Sequence, residues 1–260
     1  MKRPGQNSRY RPENFQDTPM GMALEDLARR MDEEGMPPVT INAVGGFALL
    51  LHGVRPKTSV TDIDYVGRPF PDRFNRIADE VGLAHQMGKG WINNDVMMAD
   101  ISMDAFEFST GKLKFHEAFS VGSIKINVLD EADLLRMKLI AVDTSLSGTD
   151  SGGEFTRMKD LPDVIALMGR QGIKSDELYG KYGEWIQPSA QKVIQSYEQG
   201  GEDAVRRMVD QRGKAYRETL KKQRQAKAGS PYRPNAYLAQ FLRQAQARAD
   251  AEKDTGQAEI

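Results

Sequence analysis

Val39-Thr40-Ile41-Asn42-Ala43-Val44-Gly45-Gly46, followed by Phe47-Ala48-Leu49-Leu50-Leu51-His52 and then by Thr61-Asp62-Ile63-Asp64, decides how this chain reads. Val39–Val44 has the composition of a buried strand. Gly45-Gly46 ends it, and Gly46–His52 is expected as a short helix. Asp62–Val66 reads as the next strand, closing an α/β unit. Side chains two apart on a strand share a face, so Asp62 and Asp64 should point together while Ile63 turns into the core. Paired carboxylates make an oxygen-rich site of the kind that suits Mg²⁺. A glycine turn before a helix start offers close backbone approach and free N–H groups to a phosphate. A Gly-Gly pair alone is usually just a turn, and a lone Asp-x-Asp is common in surface loops. Their succession suggests a nucleoside triphosphate and its metal.

Outward from this unit, helical spacing of apolar residues predicts helices over Met20–Glu34 and Pro71–Val81. Gly35 and Pro37-Pro38 stop the first of these. Strands are expected near Met98–Met103, Leu113–Phe119 and Ser123–Val128, and a strong helix over Glu131–Val142. Ser145–Gly153 has the composition of a loop. A helix is expected over Glu154–Met168, kinked by Pro162 or starting later because of it. Beyond Gly172 the pattern is helical over Asp176–Trp185, Ala190–Gln199, Glu202–Lys227 and Asn235–Ala251. The expected organisation is a flexible basic arm over residues 1–18, an α/β domain over 19–170 and a helical region over 171–260.

The 260 residues carry a formal net charge of -1, with 28% charged and 39% hydrophobic residues, an ordinary soluble balance. No cysteine is present, which excludes disulfides, thiolate metal sites and cysteine nucleophiles. The N-terminus lacks the apolar stretch of a signal peptide, and no run approaches the roughly 20 apolar residues that span a bilayer. A cytoplasmic protein with no membrane association is expected. Residues 212–248 are strongly basic, with Lys214, Arg217, Lys221, Lys222, Arg224, Lys227, Arg233 and Arg243 against the single acid Glu218. They read either as an electrostatic footprint for RNA or DNA or as a solvated helix face. His52, His85 and His116 show no metal-ligand spacing, and His52 reads as a partly buried helix-end residue. Trp91 and Trp185 read as packing residues.

Gly45-Gly46, a short helix with Ala48 and Gly53, basic Arg55 and Lys57, and Thr61-Asp62-Ile63-Asp64 together resemble the signature of the nucleotidyltransferase fold. Leu134-Leu135-Arg136-Met137-Lys138-Leu139-Ile140-Ala141 is similar to the lysine-bearing helix of AbiEii-type toxins and related minimal nucleotidyltransferases. Arg157-Met158-Lys159-Asp160-Leu161-Pro162-Asp163 is similar to the Arg-x-Lys-Asp-x-x-Asp motif that follows it. The resemblance covers roughly residues 39–170. It implies an α/β (α+β) fold, a small mixed sheet flanked by helices, and transfer of a nucleoside monophosphate from an NTP to an acceptor. It further implies Gly45, Gly46, Lys57 and Lys159 at the nucleotide, Mg²⁺ on Asp62 and Asp64, and Lys138 on phosphate or developing charge. Asp160 would be a further acid, a candidate base. The basic residues 212–248 make an RNA end such as a tRNA the expected acceptor, and the resemblance implies a toxin–antitoxin or phage-defence setting with an antitoxin or other protein partner. The alternative is a catalytically inactive module of this fold that binds nucleic acid or a protein. On the residues alone, Lys159 and Asp163 also read as an i, i+4 pair on a charged helix face. The sequence departs from the family at Thr58 and Val60, where an Arg-x-Thr is usual, and at Gly46, where many members have serine. The candidates for a third metal carboxylate are Asp100 and Asp104.

Overall fold

The computed structural model describes residues 10, 12–56, 60–95, 113–150 and 154–228. The strand expected over Met98–Met103, Asp100 and Asp104, Lys57 and Thr58, and the basic residues beyond 228 lie outside them. The chain is mixed α/β and mostly helical. It divides into two compact units, residues 1–209 and 210–260.

In the first unit, β1 (Val39–Ala43) runs parallel to β5 (Ile124–Leu129), which pairs antiparallel with β4 (Phe115–Val121). The order β1-β5-β4 places β5 in the centre. Alternation does the rest: Ile41 and Ala43 on β1, with Ile126 and Val128 on β5, are fully buried. Asn42 and Asn127, opposite one another in the register, share an amide hydrogen bond of 2.9 Å. A second, two-stranded sheet pairs β2 (Ile63–Asp64) in parallel with β3 (Ile92–Asn93). It joins the first through backbone bonds of Val44 N–H to the Asp64 carbonyl at 2.9 Å and of Val66 N–H to the Asn42 carbonyl at 3.0 Å.

The helices follow their apolar stripes. α1 (Pro19–Glu33) buries Leu24, Leu27 and Met31, and its cap Thr18 accepts the Gly21 N–H at 3.1 Å. α2 (Gly45–Leu51) is buried along Phe47–Leu51, and His52 caps it, its Nε2 2.7 Å from the Leu129 carbonyl oxygen. α3 (Asp72–Ala84) buries Phe74, Ile77, Ala78 and Val81. Trp91 packs beneath α3 and donates its indole N–H to the Ala78 carbonyl at 2.7 Å.

α4 (Glu131–Asp150) runs eight residues past its expected end, because buried Leu146 continues the stripe of Leu139 and Val142. Residues 145–150 are therefore helix and not loop. A 3-10 turn (Met158–Asp160) leads into α5 (Leu161–Gln171), which starts later than the expected Glu154. Pro162 accounts for this, since a missing N–H is harmless only in the first turn. α6 (Leu178–Tyr182) is shorter than the Asp176–Trp185 stretch expected. α7 (Pro188–Ala228) has non-helical backbone at Gly200 and Gly201, where the sequence places a break.

Two expected boundaries move. Phe15, in a 3-10 turn (Phe15–Asp17), is 1% exposed and its ring lies 5.4 Å from that of Phe119. Phe15 thus anchors this stretch to the core, while Glu13, Asn14, Gln16 and Asp17 around it are exposed. The core also continues past residue 170 through Leu178, Ile186, Val193 and Val205. In the second unit, residues 210–228 are helical, with Lys214, Arg217, Lys221 and Lys222 exposed. No helix among the described residues is long and apolar enough to cross a membrane.

Candidate active site

Asp64 is held from both sides by backbone. Its own carbonyl accepts from Val44 at the β1–α2 junction, and the flanking Ile63 and Tyr65 amides donate to the Trp91 and Asn93 carbonyls at 2.6 and 2.9 Å. Ile63 is fully buried, as alternation requires, while Asp62 is exposed and Asp64 half-buried. Burial pushes the Asp64 carboxyl above the ordinary carboxylate range, and the charge of Asp62 pushes it the same way. A hydrogen bond from Asn93 and the charge of Lys138 oppose this, while Asp95 adds to it. Asn93 and Asp95 therefore belong to the site. Neither belongs to a motif named in the sequence, and the register that sets Asn93 beside Asp64 brings them in.

Gly45 has φ +60°, which non-glycine residues rarely adopt, and a Cβ there would sit 2.3 Å from Asp64 Oδ2. At Gly46 a Cβ would sit 3.1 Å from Nη1 of Arg55. The glycine pair thus makes room for the chain's own carboxylate and guanidinium at the head of α2.

Arg55 grips Asp163 with two bonds, Nε to Oδ1 at 2.8 Å and Nη2 to Oδ2 at 2.6 Å. The negative charges of Asp163, Asp160 and Asp62 also act on it and favour its charged form. Lys138 Nζ bonds Asp160 and lies 3.0 Å from Asp163. Arg157 reaches the other Asp160 oxygen at 3.5 Å. The Asp160 and Asp163 side chains are 1% and 5% exposed. Asp163 is thus paired with Arg55 and Lys138, and not with Lys159, which is exposed. Arg55 and Asp163 were visible in the sequence as motif members; packing alone joins them across more than a hundred residues.

The structure therefore gathers Gly45, Gly46, Asp62, Asp64, Lys138 and Asp160 in one neighbourhood and leaves Lys159 at its surface. Lys57 lies outside the described residues. Among the described residues no group of three or more carboxylates or histidines is close enough to hold a metal by itself. Mg²⁺ commonly takes one or two protein carboxylates and completes its shell with water and phosphate. Asp62 and Asp64 are such a donor set, and the charge that burial disfavours at Asp64 is what a cation would neutralise. The residues present fit the ion. Comparison of the chain with protein-family models, curated proteins and solved structures finds no match.

Proposed function

We propose that the chain is a Mg²⁺-dependent nucleotidyltransferase of the nucleotidyltransferase fold, moving a nucleoside monophosphate from an NTP to an acceptor hydroxyl with release of pyrophosphate. The observation that carries this reading is the convergence of the two sequence motifs. The Gly-Gly/Asp-x-Asp unit and the Lys138/Asp160 segments lie more than seventy residues apart in sequence, yet Arg55, packed beside Gly46, grips Asp163, which Lys138 also reaches at 3.0 Å. Asp62 and Asp64 would hold Mg²⁺, which supplies charge neutralisation on the triphosphate and activates the acceptor oxygen. Lys138 presents a fixed positive charge toward the same place. Asp160, buried and bonded to Lys138, is a positioning residue that holds this ammonium, since a group so enclosed cannot meet an acceptor. Arg55, across Gly46, offers a second cation where the triphosphate would lie. The basic helical face beginning at Arg212 supports an RNA acceptor, and a toxin–antitoxin or phage-defence setting accords with the resemblance.

One observation favours the inactive binding module instead: Arg55, Lys138, Asp160 and Asp163 already satisfy one another. The test separates the two. Purified protein is incubated with Mg²⁺, each labelled NTP and total RNA, beside the D62A/D64A variant. Label transfer that disappears in the variant supports the enzyme. Intact RNA binding with no transfer from any NTP overturns it in favour of the module.

A further inference from the structure

A groove of about 760 Å³ opens beside the first half of α4 and residues 171–185, within the size range of small-ligand sites. Its lining pairs cations with aromatic rings: Arg136 and Lys181 with Tyr179, Tyr182 and Trp185, and the single acid Glu184. It is separate from the Asp64 site. Residues two apart on a helix point about 200° from one another, so Arg136 faces away from Lys138.

Several contacts hold the lining in place. Asp133, almost fully buried, accepts from Arg136 Nη1 at 2.9 Å and fixes the guanidinium, whose Nε is buried without a hydrogen-bond partner. Tyr182 is buried, and the Arg136 charge acts on its phenol. Lys181 Nζ lies 5.7 Å from the Tyr182 ring centroid. Gly183 is required, since a Cβ there would come within 2.6 Å of the Tyr179 carbonyl oxygen and 3.4 Å of its ring. Without that side chain the Tyr179 ring lies against the turn, yet remains 46% exposed, unusual for a large aromatic. The exposed Tyr179 ring and the half-buried Trp185, beside a guanidinium and an ammonium, match one ligand chemistry, a planar base joined to a phosphate.

We propose that this groove binds a nucleoside monophosphate unit, with its base against Tyr179 and Trp185 and its phosphate against Arg136 and Lys181. The unit is either a free nucleotide or one nucleotide of a single-stranded RNA. The site goes beyond the transfer reaction proposed above and does not depend on it.

Tryptophan fluorescence of the full chain tests this directly. Trp91 is 1% exposed, so quenching by an added ligand reports on Trp185. AMP and a short single-stranded oligoadenylate are titrated in turn against wild type, Y179A, K181E and D62A/D64A. Tyr179 and Lys181 are both exposed, so neither change disturbs the core. Saturable quenching is expected, weakened about tenfold by Y179A, the loss of one stacking partner. K181E should weaken it comparably, and D62A/D64A should leave it unchanged. Quenching by AMP as strong as by the oligomer assigns the groove to free nucleotide; stronger quenching by the oligomer assigns it to RNA. The proposal is overturned if neither ligand quenches saturably at millimolar concentration, or if Y179A and K181E bind like wild type. Quenching that disappears in D62A/D64A also overturns it, since the nucleotide then sits at the other site. Absence of label transfer leaves this result standing, so the two readings fail separately.

Discussion

Replacing Lys138 by methionine should cost stability as well as any activity, and the structure sets the size of the loss. Lys138 is 13% exposed and bridges two carboxylates that are 1% and 5% exposed. Removing one partner of a buried pair costs roughly 3–5 kcal/mol, because a charge is left without compensation. The two carboxylates are not equally stranded. Asp163 keeps both bonds from Arg55, whereas Asp160 keeps only Arg157, at 3.5 Å and with a side chain 41% exposed. The loss therefore falls mainly on Asp160, and K138M should lose about 3 kcal/mol, the lower end of that range. That is a large share of the roughly 5–15 kcal/mol typical of a whole domain. Urea denaturation of wild type, K138M and K138M/D160L measures it. The double variant should regain much of the loss, since it removes the stranded carboxylate. R157Q serves as the contrast and should cost less than about 1 kcal/mol, because Arg157 is 41% exposed, its contact is 3.5 Å long and Asp160 keeps Lys138. A K138M loss under about 1 kcal/mol, or a double variant no better than the single, refutes the buried network.

Three further outcomes follow from the same geometry. The Asp64 carboxyl is raised, so the folded state holds its proton more tightly than the unfolded one, and stability is lost as pH rises from the unfolded value through the folded one. D64N escapes this cost: denaturation midpoints taken across a pH series should coincide in acid and separate toward neutrality with D64N higher, and parallel curves would contradict the assignment. Mg²⁺ should narrow that gap by stabilising wild type alone. G45A, at φ +60° and with its Cβ directed onto Asp64, should cost about 1–3 kcal/mol, and thermal melts that match wild type would remove the close approach from the argument. F15A should cost about 3–5 kcal/mol in equilibrium unfolding, as for any large core aromatic, whereas a free arm would make it neutral.

Much of the fold was legible because its signals are local. Pro37-Pro38 and Gly45-Gly46 bracket β1, alternation about Ile63 sets which side is buried, and Gly200-Gly201 interrupts α7 where a helical pattern meets paired glycines. Each is decided by dihedral freedom and side-chain period within a few residues. Where a longer-range contact outweighs local composition, the local reading ends. Ser145–Asp150 looks like a loop and is helix because Leu146 finds the core. Phe15 sits in a polar segment and is buried because Phe47 and Phe119 receive it.

The candidate site divides in the same way. The sequence by itself determined which residue types stand at the β1 turn and at Asp62-Ile63-Asp64, and that Lys138, Asp160 and Asp163 lie on nearby helices. Only the tertiary structure decided what those residues do to one another. It set Asp64 against Gly45 and Asn93, and it gave Asp163 to Arg55 and Lys138 instead of Lys159. It also enclosed Asp160 as the anchor of an ammonium. The physical reason is that a charge pair depends on distance and burial, and both are set by how β1, β2, α4 and α5 pack, which no short window of sequence contains.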